Sequence, residues 1–145
     1  MGVEGLAMGS EGDAGRRVTS HAELEVWKRS FSLSMRIFEL SRSFPREETY
    51  SLTDQIRRSS RSVTVNIAEA WRKRRYEAAL VSKLSDAEAE TAETQDWLRF
   101  AVSCKYLDSD IGKDLHEGYE AVLRTIVGMI NHASTWTIPS GRRAR

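Results

Sequence analysis

The residues of this chain best suited to chemistry are the basic side chains that cluster between positions 57 and 75. Arginine forks match phosphate oxygens, and neutralised phosphates release counterions, so such a cluster can bind nucleic acid. Seven basic residues against one acid give this segment a local charge of +6. The predicted nucleic-acid-binding residues are Arg57, Arg58, Arg61, Arg72, Lys73, Arg74 and Arg75.

An alternative prediction is that these cations are used inside the protein. Residues 76–100 contain six acids and two bases, a local charge of −4, so they offer partners to Arg57, Arg58 and Arg61. Residues 72–75 come at the end of a predicted helix, where the helix dipole favours cations without any ligand. At this point, nucleic-acid contact and internal ion pairing are both open for the basic segment.

The sequence contains no constellation typical of catalysis or metal binding. His21, His116 and His132 are widely separated, whereas a metal ion needs converging ligands. Cys104, the single cysteine, has no histidine at helical spacing to act as its base. No glycine-rich phosphate loop precedes a helix. We therefore predict a protein that is not an enzyme and that uses no metal and no cofactor.

The elements that must position the basic segment are predicted to be four long helices. Two prolines, Pro45 and Pro139, leave a long stretch without a strong helix breaker, and no strand pattern competes. Short connections between amphipathic helices predict an all-α, antiparallel up-down-up-down four-helix bundle. The predicted helices run from about Ala22 to Ser43, from Glu48 to Arg75, from Tyr76 or Glu77 to Tyr106, and from Asp108 or Ser109, both good caps, to near Trp136.

The 145 residues are expected to form one domain with two tails. Residues 1–20 are rich in glycine and are predicted to be a disordered tail, residues 21–136 the bundle, and residues 137–145 a basic, flexible tail. No segment resembles a signal peptide or a membrane span, and one cysteine fits a reducing compartment. These features predict a cytoplasmic protein with no membrane partner.

The first predicted helix carries apolar residues on two nearly opposite faces, whereas a helix that covers one core shows a single stripe. A central helix of a monomer would explain the pattern, but a subunit interface is the interpretation we favour. One face contains Leu24, Trp27, Phe31, Met35 and Phe38. The opposite face supplies the predicted homo-oligomer interface: Val26, Leu33, Ile37 and Leu40.

The second and third predicted helices each carry residues that are expected to face the interior of the bundle. Asn66 is predicted to be buried and hydrogen-bonded and to fix the helix register, and Glu69 to pair with Arg58 or Lys73. Both residues are interpreted as structural rather than catalytic. In the third helix a heptad seam of mostly small residues is predicted to allow close helix approach. The seam is Leu80, Leu84, Ala87, Thr91, Thr94, Leu98 and Ala101.

The placed helices resemble a bacterial family of four-helix-bundle proteins first noted in intervening sequences of 23S ribosomal RNA genes. The resemblance spans about Leu24 to Ala133, and its most specific part lies in the second helix. It is carried by Leu24-Glu25-Val26-Trp27, by Phe44-Pro45 with Glu48 and Leu52, by Gln55-Ile56-Arg57-Arg58-Ser59-Ser60, by Ser62-Val63, by Asn66-Ile67-Ala68-Glu69, and by Glu93-Thr94 and Leu98. Where the family usually has Gly after the Asn-Ile-Ala-Glu run, this chain has Ala70.

The resemblance implies a ring-shaped homopentamer of four-helix bundles. It also implies a relation to the accessory variability protein of diversity-generating retroelements, which binds nucleic acid and a reverse transcriptase through a basic surface. We therefore predict a non-enzymatic oligomeric scaffold whose partners are further copies of itself, RNA or DNA, and a nucleic-acid-processing protein. The alternative is a pure protein–protein interaction module whose basic helix is used in structural ion pairs.

Overall fold

The computed structural model describes residues 18–138, so most of the two predicted tails lies outside the described residues. Within residues 18–138 the chain is all helical, as predicted, and forms no strand. A 3-10 turn, His21–Glu23, precedes the first helix, and a 3-10 turn, Arg46–Glu48, and a π-helical turn, Thr49–Thr53, precede the second. The α-helices are α1 (Glu25–Ser41), α2 (Asp54–Arg72), α3 (Glu77–Ser103), α4 (Ser109–Asn131) and the short α5 (Ala133–Trp136).

The helix ends follow from local hydrogen bonding. The Asp108 carboxylate caps α4 by accepting from the backbone N–H of Asp110 at 3.1 Å, as its position before the helix predicts. At the end of α3, Lys105 N–H donates to the Val102 carbonyl and Tyr106 N–H to the Ala101 carbonyl, both at 2.9 Å. This pair of bonds is a Schellman motif, and it holds Lys105 at a φ of 64°, where glycine is usual.

The four long helices pack into a bundle in which α2 contacts α1 and α3, and α4 contacts α3 and α1. All seven residues of the predicted α3 seam are buried, so that prediction is confirmed. The two threonines of the seam are accommodated because their hydroxyls bond within the protein; Thr91 Oγ1, for example, donates to the Ala87 carbonyl at 2.7 Å. No helix within residues 18–138 has the length and apolar character needed to cross a membrane.

The two connections at one end of the bundle are tied together by Tyr106. Its hydroxyl donates to Glu48 Oε2 at 2.8 Å, and its ring lies 5.9 Å from that of Phe44. The hydrogen bond to Glu48 raises the pKa of Tyr106 to about 12. The α3–α4 connection is thereby fixed against the α1–α2 connection.

The predicted interface on α1 is wrong, because its residues form the core of this chain. Val26 and Ile37 are each 2% exposed, Leu33 is 7% exposed, and Leu40 is half-buried against the same core. Val26, Leu33 and Ile37 are sealed inside their own subunit and cannot contact another one, and the buried part of Leu40 packs against the same core. The face left open is the opposite one, where Phe31 is 46% exposed.

Three buried serines explain which face of α1 packs against the core. Ser30, Ser34 and Ser41 share the core side of α1 with its buried aliphatic residues. Each serine hydroxyl donates to the backbone carbonyl three residues earlier, at 2.8 to 3.1 Å. Because these bonds satisfy the hydroxyls locally, the serines can be buried and the more aromatic face is left outside.

Candidate nucleic-acid interface

The basic segment divides into residues engaged by other helices and residues that are free. Arg57 and Arg61 both lie across α1, with their guanidinium carbons 4.9 and 5.8 Å from the centre of the Phe38 ring. Arg57 Nε also donates to Ser41 Oγ at 2.8 Å. Within residues 18–138 neither arginine forms an ion pair, so both are held by cation–π contact rather than by the acids of α3.

Arg58 is the residue for which internal ion pairing is confirmed. Its guanidinium lies 2.7 Å from Glu93 Oε2 and 3.9 Å from Glu90 Oε2, both on α3. Burial raises the pKa of Glu90 and the charge of Glu93 adds to this, whereas Arg58 opposes it. Arg58 therefore balances two neighbouring carboxylates and is not free to bind phosphate without breaking that contact.

Arg72, Lys73 and Arg75 form an exposed group at the turn between α2 and α3, which we call the basic turn. Within the described part of the chain, their side chains make no hydrogen bond and no ion pair. Arg72 is the last residue of α2, so the negative end of the helix dipole accounts for part of its placement. These three cations are the ones that the fold leaves available to an anionic partner.

Arg74, in the middle of the basic turn, is a structural residue. Its guanidinium stacks on the Trp71 ring at 3.6 Å from the centroid and donates to the Trp71 carbonyl at 2.7 Å. Burial lowers the pKa of Arg74, and the charge of Arg72 adds to that effect. The backbone carbonyl of Arg74 also accepts a hydrogen bond from the Ile138 N–H at 3.2 Å. Ile138, the last residue that the structure describes, is thereby held beside the basic turn.

Asn66 and Glu69 have structural contacts that differ from the predicted ones. The Asn66 amide donates to the Ser62 carbonyl at 2.9 Å, so the predicted hydrogen bond is confirmed, but the residue is half-buried. Because the bond lies within α2, it does not fix the register between helices. Glu69 Oε1 accepts from Lys83 Nζ on α3 at 2.7 Å and not from Arg58, whereas the predicted partner Lys73 forms no direct ion pair with Glu69 but its charge helps to lower the Glu69 pKa.

The ion pair between Glu69 and Lys83 alters both titrations. The hydrogen bond from Lys83 lowers the pKa of the Glu69 carboxyl, and the same bond raises the pKa of the Lys83 ammonium. Both groups therefore favour their charged forms across the neutral range. The pair holds the last two turns of α2 against the start of α3, next to the basic turn.

An open apolar groove of about 620 Å³ lies between α1 and α2, and it was not foreseen from the sequence. We call it the α1–α2 groove. Its floor contains Trp27, Phe31, Met35 and Val65, and its rim contains Arg61, Arg72 and Lys73. Trp27 and Phe31 stack with ring centroids 5.1 Å apart. The sequence does contain an indication of the groove. Val65 is an apolar residue on the side of α2 that faces away from its inner stripe, and it lies beside the aromatic residues of α1.

Acidic residues, histidines and the cysteine do not gather anywhere in residues 18–138. Cys104 is exposed, and its thiol is free. No group of three or more such side chains in this range is placed to hold a metal ion. Among the surfaces that the described part of the chain offers for binding are the basic turn and the α1–α2 groove.

Comparisons with known proteins agree with the helical architecture. A family model described as the 23S rRNA-intervening sequence protein matches residues 22–128. A crystal structure of a protein with unknown function from the S23 ribosomal protein family of Bacteroides thetaiotaomicron superposes with a TM-score of 0.67. That likeness has 24% sequence identity and covers 73% of this chain and 95% of the other, so it shows the fold alone. No curated protein matches the sequence.

Proposed function

The chain belongs to the family of 23S rRNA-intervening sequence proteins, and from that premise we propose that it is a non-enzymatic scaffold that assembles with copies of itself and binds RNA or DNA. The observation that carries the proposal is the basic turn. Arg72, Lys73 and Arg75 are exposed and without an ionic partner in residues 18–138, while the other basic residues of α2 are engaged. Exposed cations that pair with nothing are the part of a surface that can neutralise phosphates.

The chain that follows Ile138 supports the same site. The hydrogen bond between the Ile138 N–H and the Arg74 carbonyl places Ile138 beside the basic turn, and three of the residues that follow Ile138 in the sequence are arginine. We propose that these arginines extend the phosphate-binding surface. Binding through such contacts is weakly selective for base sequence.

Assembly is the second part of the proposal. We propose an up-down-up-down bundle as the subunit of a ring, with a pentamer as the expected size. Two ion pairs support the antiparallel arrangement, because Arg58 pairs with Glu93 while the later Glu69 pairs with the earlier Lys83. The exposed apolar floor of the α1–α2 groove supports self-association, since patches of this kind mark interaction sites. A ring would repeat the basic turn and add avidity without new contacts per subunit.

The test is the salt dependence of nucleic-acid binding. Fluorescence anisotropy with a labelled 30-base-pair DNA duplex and a labelled single-stranded RNA would compare the natural protein with Arg72→Gln/Lys73→Gln/Arg75→Gln. We expect the triple variant to bind more weakly and its salt slope on duplex DNA to fall by about 0.9 for each phosphate that the variant no longer neutralises. Arg42→Gln/Lys113→Gln/Arg124→Gln removes the same charge from other exposed positions and should bind like the natural protein.

Retention of neither nucleic acid at low salt would contradict the nucleic-acid part of the proposal. The second candidate function would then replace it: a protein–protein interaction module in a cytoplasmic assembly. The ion pairs of Arg58 with Glu90 and Glu93 favour this candidate, because they use a basic residue of α2 to join α2 to α3. A nucleic-acid-processing protein such as a reverse transcriptase is the kind of protein partner that the family resemblance points to.

A further inference from the structure

We propose that the α1–α2 groove of one copy receives the outer face of α3 from a second copy, so that copies join head to tail through two different surfaces. This inference rests on the proposed function in one respect, since it takes the homo-oligomer as given and specifies how its copies meet. It replaces the core residues Val26, Leu33 and Ile37, which cannot form an interface, with two surfaces that are open in this fold.

The first surface is the floor of the α1–α2 groove. Phe31, Met35 and Val65 are 46%, 44% and 53% exposed, although each is a large apolar side chain. They lie together in one concave site, and Trp27 stacks on Phe31 at its edge. Scattered apolar residues on a surface need no explanation, but a grouped apolar site with a charged rim is typical of an interface. This groove is therefore expected to be covered when the protein is assembled.

The second surface is the outer face of α3, which has an unusual composition. Between Glu77 and Asp96 every exposed position is Ala, Ser or an acid, without a single long basic or amide side chain. The small residues recur at spacings of four and three, so they form a second seam opposite the core seam. That outer seam is Ala78, Ser82, Ser85, Ala89 and Ala92. A face of small side chains lets another element approach closely, because the distance between packed helices is set by the side chains at the contact.

Opposite charges match the two surfaces to each other. The rim of the groove carries three cations, Arg61, Arg72 and Lys73, and one acid, Glu69, which is paired with Lys83, so the rim is net positive. The outer face of α3 carries Glu77 and Asp86. The one base of α3 in that range, Lys83, pairs with Glu69 of α2 at 2.7 Å and also lies 3.6 Å from Asp86, so part of the charge of Asp86 is balanced within its own chain. A face of small residues with a negative net charge is therefore the complement of an apolar groove whose rim has a positive net charge.

A contact of one groove with another groove fits less well. It would place two basic rims against each other, and like charges across an interface are unfavourable. The groove and the outer face of α3 are different surfaces of the same chain, so their contact is heterologous. Repeating a heterologous contact closes a ring when the rotation allows it, and otherwise builds a filament. Arg72 and Lys73 belong to both the groove rim and the basic turn, so in the assembly they face the acids of α3, and Arg75 is the cation of the basic turn that stays outside the contact.

The test is a mixing experiment with one variant on each surface. Phe31→Asp places a charge on the groove floor, and Ala89→Arg places a long cation on the outer seam of α3. We expect each variant alone to be a monomer by light scattering, with the dissociation constant raised about 30-fold or more. Mixed in equal amounts, they should form a dimer of one copy of each. Each dimer then joins the intact groove of Ala89→Arg to the intact α3 of Phe31→Asp.

The control is Thr135→Arg, an exposed position on α5 outside both surfaces, which should keep the natural mass. Circular dichroism would verify that each variant is folded, and Met35→Asp would replace Phe31→Asp if the latter unfolds. The inference is overturned if Phe31→Asp dissociates while Ala89→Arg stays assembled, or if the mixture stays monomeric. In both cases the homo-oligomer itself stands. A monomeric natural protein would overturn the assembly proposal together with this inference.

If residues 1–17 of the same chain fill the groove instead, the masses of the variants follow a different pattern. The Phe31→Asp protein would then keep the mass of the natural protein, because the groove would not be an intersubunit contact. That outcome also overturns the inference. The same samples can be assayed for DNA binding. If the natural protein assembles but does not bind DNA, that result contradicts the proposed role of the basic turn and leaves this inference standing.

Discussion

Gly112 of α4 lies so close to Val102 of α3 that a Cβ atom built on Gly112 would be 2.3 Å from the Val102 Cγ2 atom. Gly112→Ala must therefore displace the Val102 side chain or separate the two helices. Overpacking of this kind costs about 1–3 kcal/mol, while alanine gains about 1 kcal/mol over glycine in helix propensity. We expect a net decrease of about 1 kcal/mol in the free energy of unfolding, measured by urea denaturation.

Two further variants check the cause of that decrease. In a Val102→Ala background the close approach is relieved, and Gly112→Ala should no longer be destabilising. At Gly118 the added Cβ would be 2.7 Å from the Leu33 Cδ2 atom, which is the end of a flexible side chain. Gly118→Ala should therefore cost less than Gly112→Ala, and the reverse order would contradict this account.

The buried hydroxyls of Ser59 and Thr94 couple α2 to α3, since their oxygens lie 2.8 Å apart and both residues are fully buried. Thr94→Val keeps the shape but leaves the Ser59 hydroxyl with only a 3.4 Å hydrogen bond to the Ile56 carbonyl. We expect a decrease of about 1 kcal/mol in the free energy of unfolding. The double variant Ser59→Ala/Thr94→Val should be destabilised by less than the sum of the single variants, and strict additivity would argue against the coupling.

The Glu69–Lys83 pair predicts a pH-dependent difference between the natural protein and Glu69→Gln. Because Lys83 lowers the pKa of Glu69 in the folded state, the pair stabilises the fold above the ordinary carboxyl pKa of 4.5. That contribution disappears as the pH falls through the lowered pKa. Unfolding free energies should therefore differ at about pH 7 and converge near about pH 3. A difference that persists at the acidic end would mean that the pair is not its source.

Lys105 occupies the position of the Schellman motif that favours glycine, with a φ of 64°. Lys105→Gly removes the strain of a side chain in the left-handed region, which is of order 1 kcal/mol or more, at some cost in chain entropy. We expect a higher midpoint of thermal unfolding, by a few degrees at most. Lys105→Ala keeps the Cβ and should give no such gain, so equal effects of the two variants would exclude backbone strain as the cause.

The helical architecture could be predicted because the spacing of apolar residues and the positions of helix-breaking and helix-capping residues agree along most of the chain. The α3 seam, for example, recurs regularly from Leu80 to Ala101, and each of its residues is buried. The π-helical turn Thr49–Thr53 was not foreseen and was included in the second helix. It lies where the chain leaves the α1–α2 connection, and a single π-helical turn continues the helix with a changed hydrogen-bond spacing that the pattern of apolar residues does not reveal.

The orientation of α1 could not be predicted from hydrophobicity because both of its faces are apolar. The deciding residues are Ser30, Ser34 and Ser41, whose hydroxyls bond to their own helix and so can be buried. The partner of Glu69 was missed for a related reason. Lys73 is at the helical spacing of four, but Lys83 reaches Glu69 from the next helix, and a contact between helices leaves no trace in local spacing.

The hydrogen bond from the Ile138 N–H to the Arg74 carbonyl has a consequence for the order of folding. It joins positions far apart in the sequence, so the entropy of closing that loop opposes the contact until the intervening helices have packed. We expect the basic turn to form with α2 and α3, and the segment from α5 to Ile138 to dock onto it last. The Ile138 amide should then exchange with deuterated solvent through local opening, faster than the amides of the α3 core. Its protection would report on the basic turn while the rest of the bundle stays closed.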